Sequence, residues 1–286
     1  MSIASERICF GTLAYGLQFR VHAKLLAEDL LCWHPDIEFY VITDQPEYFR
    51  VLPNVRAIKY HPTGIRSCYH DKRQVIAAAI RHHDVCIYMD ADCRIISAIN
   101  FSEIMQDGIF FTAIYGENLN NKLASEIICE KNKNKLNGPM RRRKILSDIA
   151  QYKKIKFEDV IFVNEPFFVV NSNFGDVPNF LAIWDYCAAY TTARLFEFGE
   201  GASIGIALAK QKAVPCILNR NPLWLFKDVF CDVKAKPDLQ LKKFQQLLAL
   251  RQAISNDVWP TSKVRKALEI MYFAIRFYLK YFKCIR

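Results

Sequence analysis

The first hundred residues alternate short apolar runs with segments of helical periodicity. Residues 7–13 (RICFGTL) form an apolar run containing a glycine. Residues 18–33 repeat apolar side chains at Phe19, Leu25, Leu26, Leu30 and Trp33, a helical spacing, and Pro35 follows where a helix should already have stopped. Residues 38–43 (EFYVIT) predict a strand closed by the turn signal Asp44-Gln45-Pro46, and residues 55–60 a weaker strand. Residues 71–82 predict a helix with Asp71 as its N-cap, and residues 84–89 an apolar strand that opens onto Asp90. Strands alternating with helices predict a largely parallel sheet whose ligands gather at the carboxyl ends of the strands.

The second half is less regular. Residues 118–143 are polar and basic and predict a loop, part of it mobile over the site. Residues 159–171 (DVIFVNEPFFVVN) predict a strand pair or one bent strand, and residues 179–190 and 201–212 predict helices. Beyond Ser262 the pattern is that of a terminal amphipathic helix. Its charges Arg265, Glu269, Arg276, Lys280 and Lys283 recur at intervals of three, four and seven, which places them on one stripe.

Composition adds a size and a class. A chain of 286 residues, 52% hydrophobic and 24% charged with few Gly and Pro, can bury a sizeable core, which excludes disorder and fibrous repeats. No stretch reaches the roughly 18 uncharged apolar residues that a membrane span needs. The start, MSIASERICF, lacks a basic segment followed by an apolar one, so no secretory signal is expected. The ten cysteines contain no Cys-x-x-Cys, which fits buried free thiols in a reducing cytosol better than a zinc knuckle or redox pair.

Charge divides the chain. Residues 1–233 carry 27 Lys and Arg against 26 Asp and Glu, whereas residues 234–286 carry 12 against 3. A neutral body with a basic extension suggests an anionic surface as partner, lipid or nucleic acid. The expected division is therefore one body, residues 1–233, followed by a basic helical extension, residues 234–286.

Asp90-Ala91-Asp92 is the one Asp-x-Asp of the chain. Were it to continue the preceding strand, both carboxylates would face one spot at the strand's end. Two hard oxygen ligands there suit Mg²⁺ or Mn²⁺, which also bridge diphosphate oxygens. An acidic, solvated turn is the plain alternative for so short a motif.

Context changes the weighing. The phrase DKRQVIAAAIRHHDVCIYMDADCRI resembles the basic helix, apolar strand and Asp-x-Asp of the GT-A glycosyltransferases, with a layout similar to the glycogenin-like and blood-group-transferase-like enzymes. The resemblance covers residues 7–115 in order of elements and, more loosely, residues 159–212. It implies an α/β fold of GT-A type: Rossmann-like, with a mostly parallel central sheet flanked by helices and a C-terminal helical extension. It also implies transfer of a sugar from a nucleotide-sugar, a UDP-sugar before a GDP-sugar, to a glycan, lipid-linked or protein acceptor. Residues 1–115 would hold the donor and residues 116–233 the acceptor, with Asp90 and Asp92 on the metal.

In such folds the first strand and its loop hold the nucleobase and ribose, which implies Phe10, Gly11, Thr12 and Tyr15 here. A tight strand–helix turn would need the same residues. Asp44 could accept a hydrogen bond from base or ribose, or cap its own turn. Lys72 and Arg73 could reach the diphosphate or sugar, Arg suiting bidentate contacts, or be solvated. Glu165, in Asn164-Glu165-Pro166-Phe167, and Glu200, between Gly199 and Gly201, could bind acceptor hydroxyls, serve as general base or flank the anomeric carbon. With Asp92 they form the candidate catalytic set, although Glu200 could equally cap a helix. One departure stands out. All six histidines fall at or before His83, so the downstream histidine ligand of glycogenin-like enzymes is missing; Asn219 or Asn221 could substitute.

Two other classes compete: a nucleic-acid-binding protein using the basic extension, and a catalytically silent GT-A-like binding module. No nucleic-acid motif is present and the excess basic charge is confined to the end, so no nucleic-acid partner is expected. Residues 263–286, with a basic stripe on an apolar and aromatic helix, suit an anionic membrane surface, or equally a helix packed on the body or on a dimer partner. A cytoplasmic enzyme, peripheral on the inner face of the membrane, is the resulting expectation.

Overall fold

A computed structural model describes residues 7–62, 68–129, 137–194, 199–219 and 225–226, together with isolated helical positions at 268, 271, 272, 275 and 279. The predicted strand–helix alternation forms as β1 (Ile8–Ala14), α1 (Gly16–Trp33), β2 (Phe39–Thr43), β3 (Val55–Lys59), α2 (Lys72–Ala79) and β4 (Val85–Met89). There follow β5 (Arg94–Ile95), β6 (Phe111–Asn118), α3 (Leu119–Cys129), α4 (Asn137–Tyr152) and β7 (Ile161–Asn171). The order closes with α5 (Val177–Ala193), α6 (Glu200–Lys210), β8 (Cys216–Ile217) and β9 (Leu225–Phe226).

Seven strands make one sheet in the order β3-β2-β1-β4-β7-β6-β8, and β5 pairs antiparallel with β9 in a separate ribbon. β1, β2, β3 and β4 run parallel, as do β6 and β8; β7 alone is antiparallel to its neighbours β4 and β6. The carboxyl ends of β1, β2, β4, β6 and β8 therefore share one edge. This mostly parallel sheet flanked by helices is the architecture that the GT-A resemblance implies.

Both faces are covered. Tyr40, Tyr88, Val75, Phe111, Phe168 and Trp184 belong to one core, and Phe10, Leu26, Leu30, Phe39, Ile87 and Phe167 to the other. Burial on both faces explains why β4 reads as a continuous apolar run, VCIYM, rather than an alternating one. α6 lies directly on β7 because Gly201 and Gly205 are one turn apart. A Cβ at either would strike a β7 carbonyl, that of Val163 or of Ile161.

Two expectations change. Residues 118–143 are mainly helical rather than loop: the end of β6, then α3, then α4. Leu119 and Leu123 of α3, and Ile145, Leu146, Ile149 and Ala150 of α4, bury their side chains at helical spacing, and the RRRK run beside them hides the pattern. Residues 130–136 lie outside the described residues. Asp71 stands at the N-cap of α2 but makes no side-chain capping bond. Its carboxylate instead accepts from the Tyr15 hydroxyl at 3.4 Å and pairs with Arg73.

Of the two alternatives for residues 159–171 the structure has the single bent strand, β7, with a bulge. β6 and β7 pair at Ala113↔Phe168 and again at Tyr115↔Asn164, so Glu165, Pro166 and Phe167 oppose Ile114 alone. Proline lacks the N–H that the ladder needs, and the bulge takes up the defect.

Of the terminal extension, positions 268, 271, 272, 275 and 279 are helical, and Leu268, Met271, Tyr272, Ile275 and Leu279 are all more than half exposed. The boundary near residue 233 lies outside the described residues. No described helix is long and apolar enough to cross a membrane.

Candidate active site

β4 delivers Asp90 to the carboxyl edge of the sheet. The chain then turns at once, the amide of Cys93 donating to the carbonyl of Asp90 at 2.9 Å, so the two aspartates occupy a tight turn rather than alternate positions of a strand. The turn is clamped from two sides. On the β7 side, Pro166 O accepts from the Asp90 amide at 2.8 Å and from Cys93 Sγ at 3.8 Å. On the α1 side, Arg94 makes a buried two-point ion pair with Asp29 at 2.6 and 2.9 Å, and the Ile95 amide donates to Asp29 at 3.0 Å. A buried, bidentate Arg–carboxylate pair fixes geometry more than it adds stability. Nothing in the spacing of the sequence links Asp29 to Arg94.

Lys72, at the start of α2, reaches into this turn. Its ammonium lies 3.0 Å from Asp90 Oδ1 and 3.2 Å from the carbonyl of Glu165, over the ring of Tyr88. Burial opposes the charge, yet Asp90, Glu165 and Glu200 together hold the Lys72 ammonium above its ordinary range. The Tyr88 hydroxyl donates to Asp90 Oδ1 at 3.3 Å, and burial, with Asp90 next, pushes its own ionisation far upward.

Arg73 turns the other way. It donates to the carbonyl of His70 at 2.6 Å and pairs with Asp185 of α5 at 2.9 Å and with Asp71 at 3.6 Å. Of the two adjacent cations, Lys72 faces Asp90 and Arg73 joins α2 to α5.

Glu165 and Glu200 meet although 35 residues separate them. The β7 bulge swings Glu165 toward the first turn of α6, and Gly201 leaves the space: a Cβ there would stand 2.9 Å from Glu165 Oε2. Each carboxyl acts on the ionisation of the other, Glu200 raising Glu165 and Glu165 lowering Glu200. Burial pushes Glu165 up to about 8 against the pull of Lys72. Burial also works against the charge of Glu200, but Lys72 above all holds its carboxyl below the usual range.

His70 completes the inner wall. Its Nδ1 accepts from Trp184 Nε1 at 3.1 Å, and burial pushes its pKa down to about 4, so the ring is neutral with its proton on Nε2. The sequence offered no signal for His70 or Trp184, which lie 114 residues apart.

The residues expected around the base and ribose divide by depth. Phe10 is fully buried in the core, Gly11 is packed under Val75, and Thr12 donates from Oγ1 to the carbonyl of Met89 at 2.7 Å. These three lie inside β1, short of its end, because the strand runs on to Ala14. Tyr15 is mostly buried and tied to Asp71. Asp44 is at the carboxyl end of β2, one quarter exposed, and accepts from Arg20 Nη1 at 2.7 Å and from the Gly16 amide at 3.4 Å. Asn219 follows β8 on the same edge, its amide bonded to the Ile114 carbonyl, and Asn221 lies outside the described residues.

The donor set fits a hard divalent ion in part. Asp90 and Asp92, both partly exposed, offer carboxylate oxygens in one turn. Among the described residues no third His, Cys, Asp or Glu converges with them. That is the donor set of a Mg²⁺ or Mn²⁺ site which relies on one or two carboxylates plus substrate phosphates and water. A separate cleft of about 520 Å³, lined by Phe110, Phe174 and Lys212 among others, lies at the opposite edge of the sheet and takes no part in this arrangement.

No protein-family model matches the sequence, and no curated protein matches it. Among solved structures the chain is similar to the crystal structure of galactosyltransferase LgtC in complex with donor and acceptor sugar analogs. The identity is 11%, the TM-score is 0.48, and the match covers 87% of this chain and 99% of the other. At that identity and score the likeness bears on neither substrate nor metal.

Proposed function

We propose that the chain transfers a glycosyl group from a nucleoside-diphosphate sugar to a hydroxyl-bearing acceptor, with Mg²⁺ or Mn²⁺ on Asp90 and Asp92. The observation that carries the reading is the grouping at one sheet edge. The Asp90–Asp92 turn is clamped there beside a buried ammonium, Lys72, with a second pair of carboxyls, Glu165 and Glu200, behind it. A diphosphate demands cations, and a sugar hydroxyl demands a carboxylate; here they are neighbours.

The roles follow from position. Asp90 and Asp92 would hold the ion, which when bound neutralises charge on the departing diphosphate. Lys72 would contact the same phosphates as a point charge. Asp44, at the next strand end and paired with Arg20, would accept from the ribose or base. Glu200, at the first turn of α6, would take a hydrogen bond from the acceptor hydroxyl and orient it for attack. Main-chain approach, rather than the ring of Phe10, is what β1 offers the nucleotide, because Phe10, Gly11 and Thr12 are enclosed.

We place the enzyme at an anionic membrane surface through residues 263–286. The exposed helical positions Leu268, Met271, Tyr272, Ile275 and Leu279 fall at i, i+3, i+4, i+7 and i+11, an apolar stripe in a segment rich in Lys and Arg. Such a helix lies in the headgroup region, drawn by roughly 1 kcal/mol per basic residue near an anionic surface.

The test is a panel of UDP- and GDP-sugars incubated with the full chain, with Mn²⁺ or with chelator, following release or transfer of the sugar. Metal-dependent turnover of one donor supports the reading. No turnover of any donor in Mn²⁺, beside nucleotide-independent melting, contradicts it.

A further inference from the structure

Two carboxyl groups, Glu165 and Glu200, press together beside one buried ammonium, that of Lys72, which already lies 3.0 Å from Asp90 Oδ1. The other cation nearby, Arg73, is committed to Asp71 and Asp185, and His70 is neutral. Two adjacent carboxylates in a water-poor site repel one another, and such a pair relieves the repulsion by retaining a proton. The place of that proton is marked. Glu165 Oε2 is shut off from solvent and meets no donor among the described residues, while it sits against Gly201, beside Glu200. An oxygen so placed is unsatisfied as a carboxylate and satisfied as a hydroxyl.

We propose that Glu165 is a neutral carboxylic acid that donates its proton in a hydrogen bond to the Glu200 carboxylate and so fixes Glu200 as the anion of the acceptor side. The proposal rests on the glycosyl-transfer reading for the role of Glu200, but the shared proton itself does not. Two carboxyls that hold one proton between them recur where an enzyme needs one charged and one neutral oxygen side by side. Glu165 is thus a positioning residue. It orients Glu200 and lets it keep its charge in an enclosed site, with Lys72 as the balancing cation.

The fold provides for this pair specifically. Pro166 breaks the β7 ladder, the bulge aims Glu165 at α6, and Gly201 admits its carboxyl. The groups facing the pair are Lys72 from α2, His70 from the turn before it, Asp90 after β4, and Asp185 of α5 through Arg73.

The test uses infrared spectroscopy on the full chain at neutral pH without substrate. Wild type should show the C=O band of a buried protonated carboxylic acid, shifting on exchange into deuterated water, and Glu165→Gln should lose it. Absence of the band in wild type, or its persistence in Glu165→Gln, overturns the shared proton. A second arm uses whichever UDP- or GDP-sugar the panel identifies. Glu165→Leu should lower kcat by on the order of 10- to 100-fold more than Glu165→Gln, since the amide can still donate to Glu200, with similar donor KM in both. Equal losses in the two variants overturn the positioning role, and a silent panel contradicts the glycosyl-transfer reading while the infrared band still decides the proton.

Discussion

Lys72 Nζ lies 3.0 Å from Asp90 Oδ1, so the first carboxylate of the Asp-x-Asp turn is paired with the protein's own cation. On the proposed function, a divalent ion on Asp90 would compete with the ammonium for the same oxygen until a diphosphate took the ammonium. Removing the charge should tighten Mn²⁺ binding and loosen nucleotide binding at once. In Lys72→Met, Mn²⁺ affinity without nucleotide should rise about tenfold, equivalent to about 1.4 kcal/mol, as read by electron paramagnetic resonance titration. Unchanged or weaker Mn²⁺ affinity would show that Lys72 does not restrain Asp90.

Arg73 is a structural cation in this arrangement. Its guanidinium is buried between Asp185 of α5 and the turn before α2. Arg73→Ala leaves Asp71 buried with one partner fewer, and breaking such a buried pair costs about 3–5 kcal/mol. Chemical denaturation should show a loss of that order. A variant with wild-type stability and lost nucleotide-sugar affinity would instead return Arg73 to the phosphates.

The order of elements through residue 95 was legible because both periodicities are clean there, with short apolar strands, helical spacing and turn residues between them. β4 was plain from VCIYM, and Asp90 from its place at the end. What escaped has a common physical cause. The pairs Asp29–Arg94, His70–Trp184 and Glu165–Glu200 are separated by 65, 114 and 35 residues, and no local pattern links partners that meet only through tertiary packing. α3 and α4 were hard to read because polar residues such as Asn120 and Asn121 in α3 and the RRRK run at 141–144 in α4 break up the pattern, while only a few positions, such as Leu123 and Ile149, reach the core. Phe10, Gly11 and Thr12 came from the resemblance to the first strand of such folds, and in this chain that strand runs on past them to Ala14.

The apolar stripe at Leu268, Met271, Ile275 and Leu279 should carry membrane attachment. Full-length protein should co-sediment with vesicles containing anionic lipid, less with neutral ones, and less at high salt. A chain ending at Thr261 should remain in the supernatant. Equal sedimentation of the two chains, or indifference of the full chain to anionic lipid, would remove this role.

The central claim is that Asp90 and Asp92 bind a nucleotide-sugar through a divalent ion, and thermal melting tests it most directly. A ligand bound only by the folded state raises the melting temperature by mass action. With Mn²⁺ present, one nucleotide-sugar should stabilise wild type, and the shift should vanish in chelator and in Asp92→Ala, whose unliganded melting should match wild type because Asp92 sits in a partly exposed turn. The same stabilisation in chelator, or in Asp92→Ala, would contradict the account.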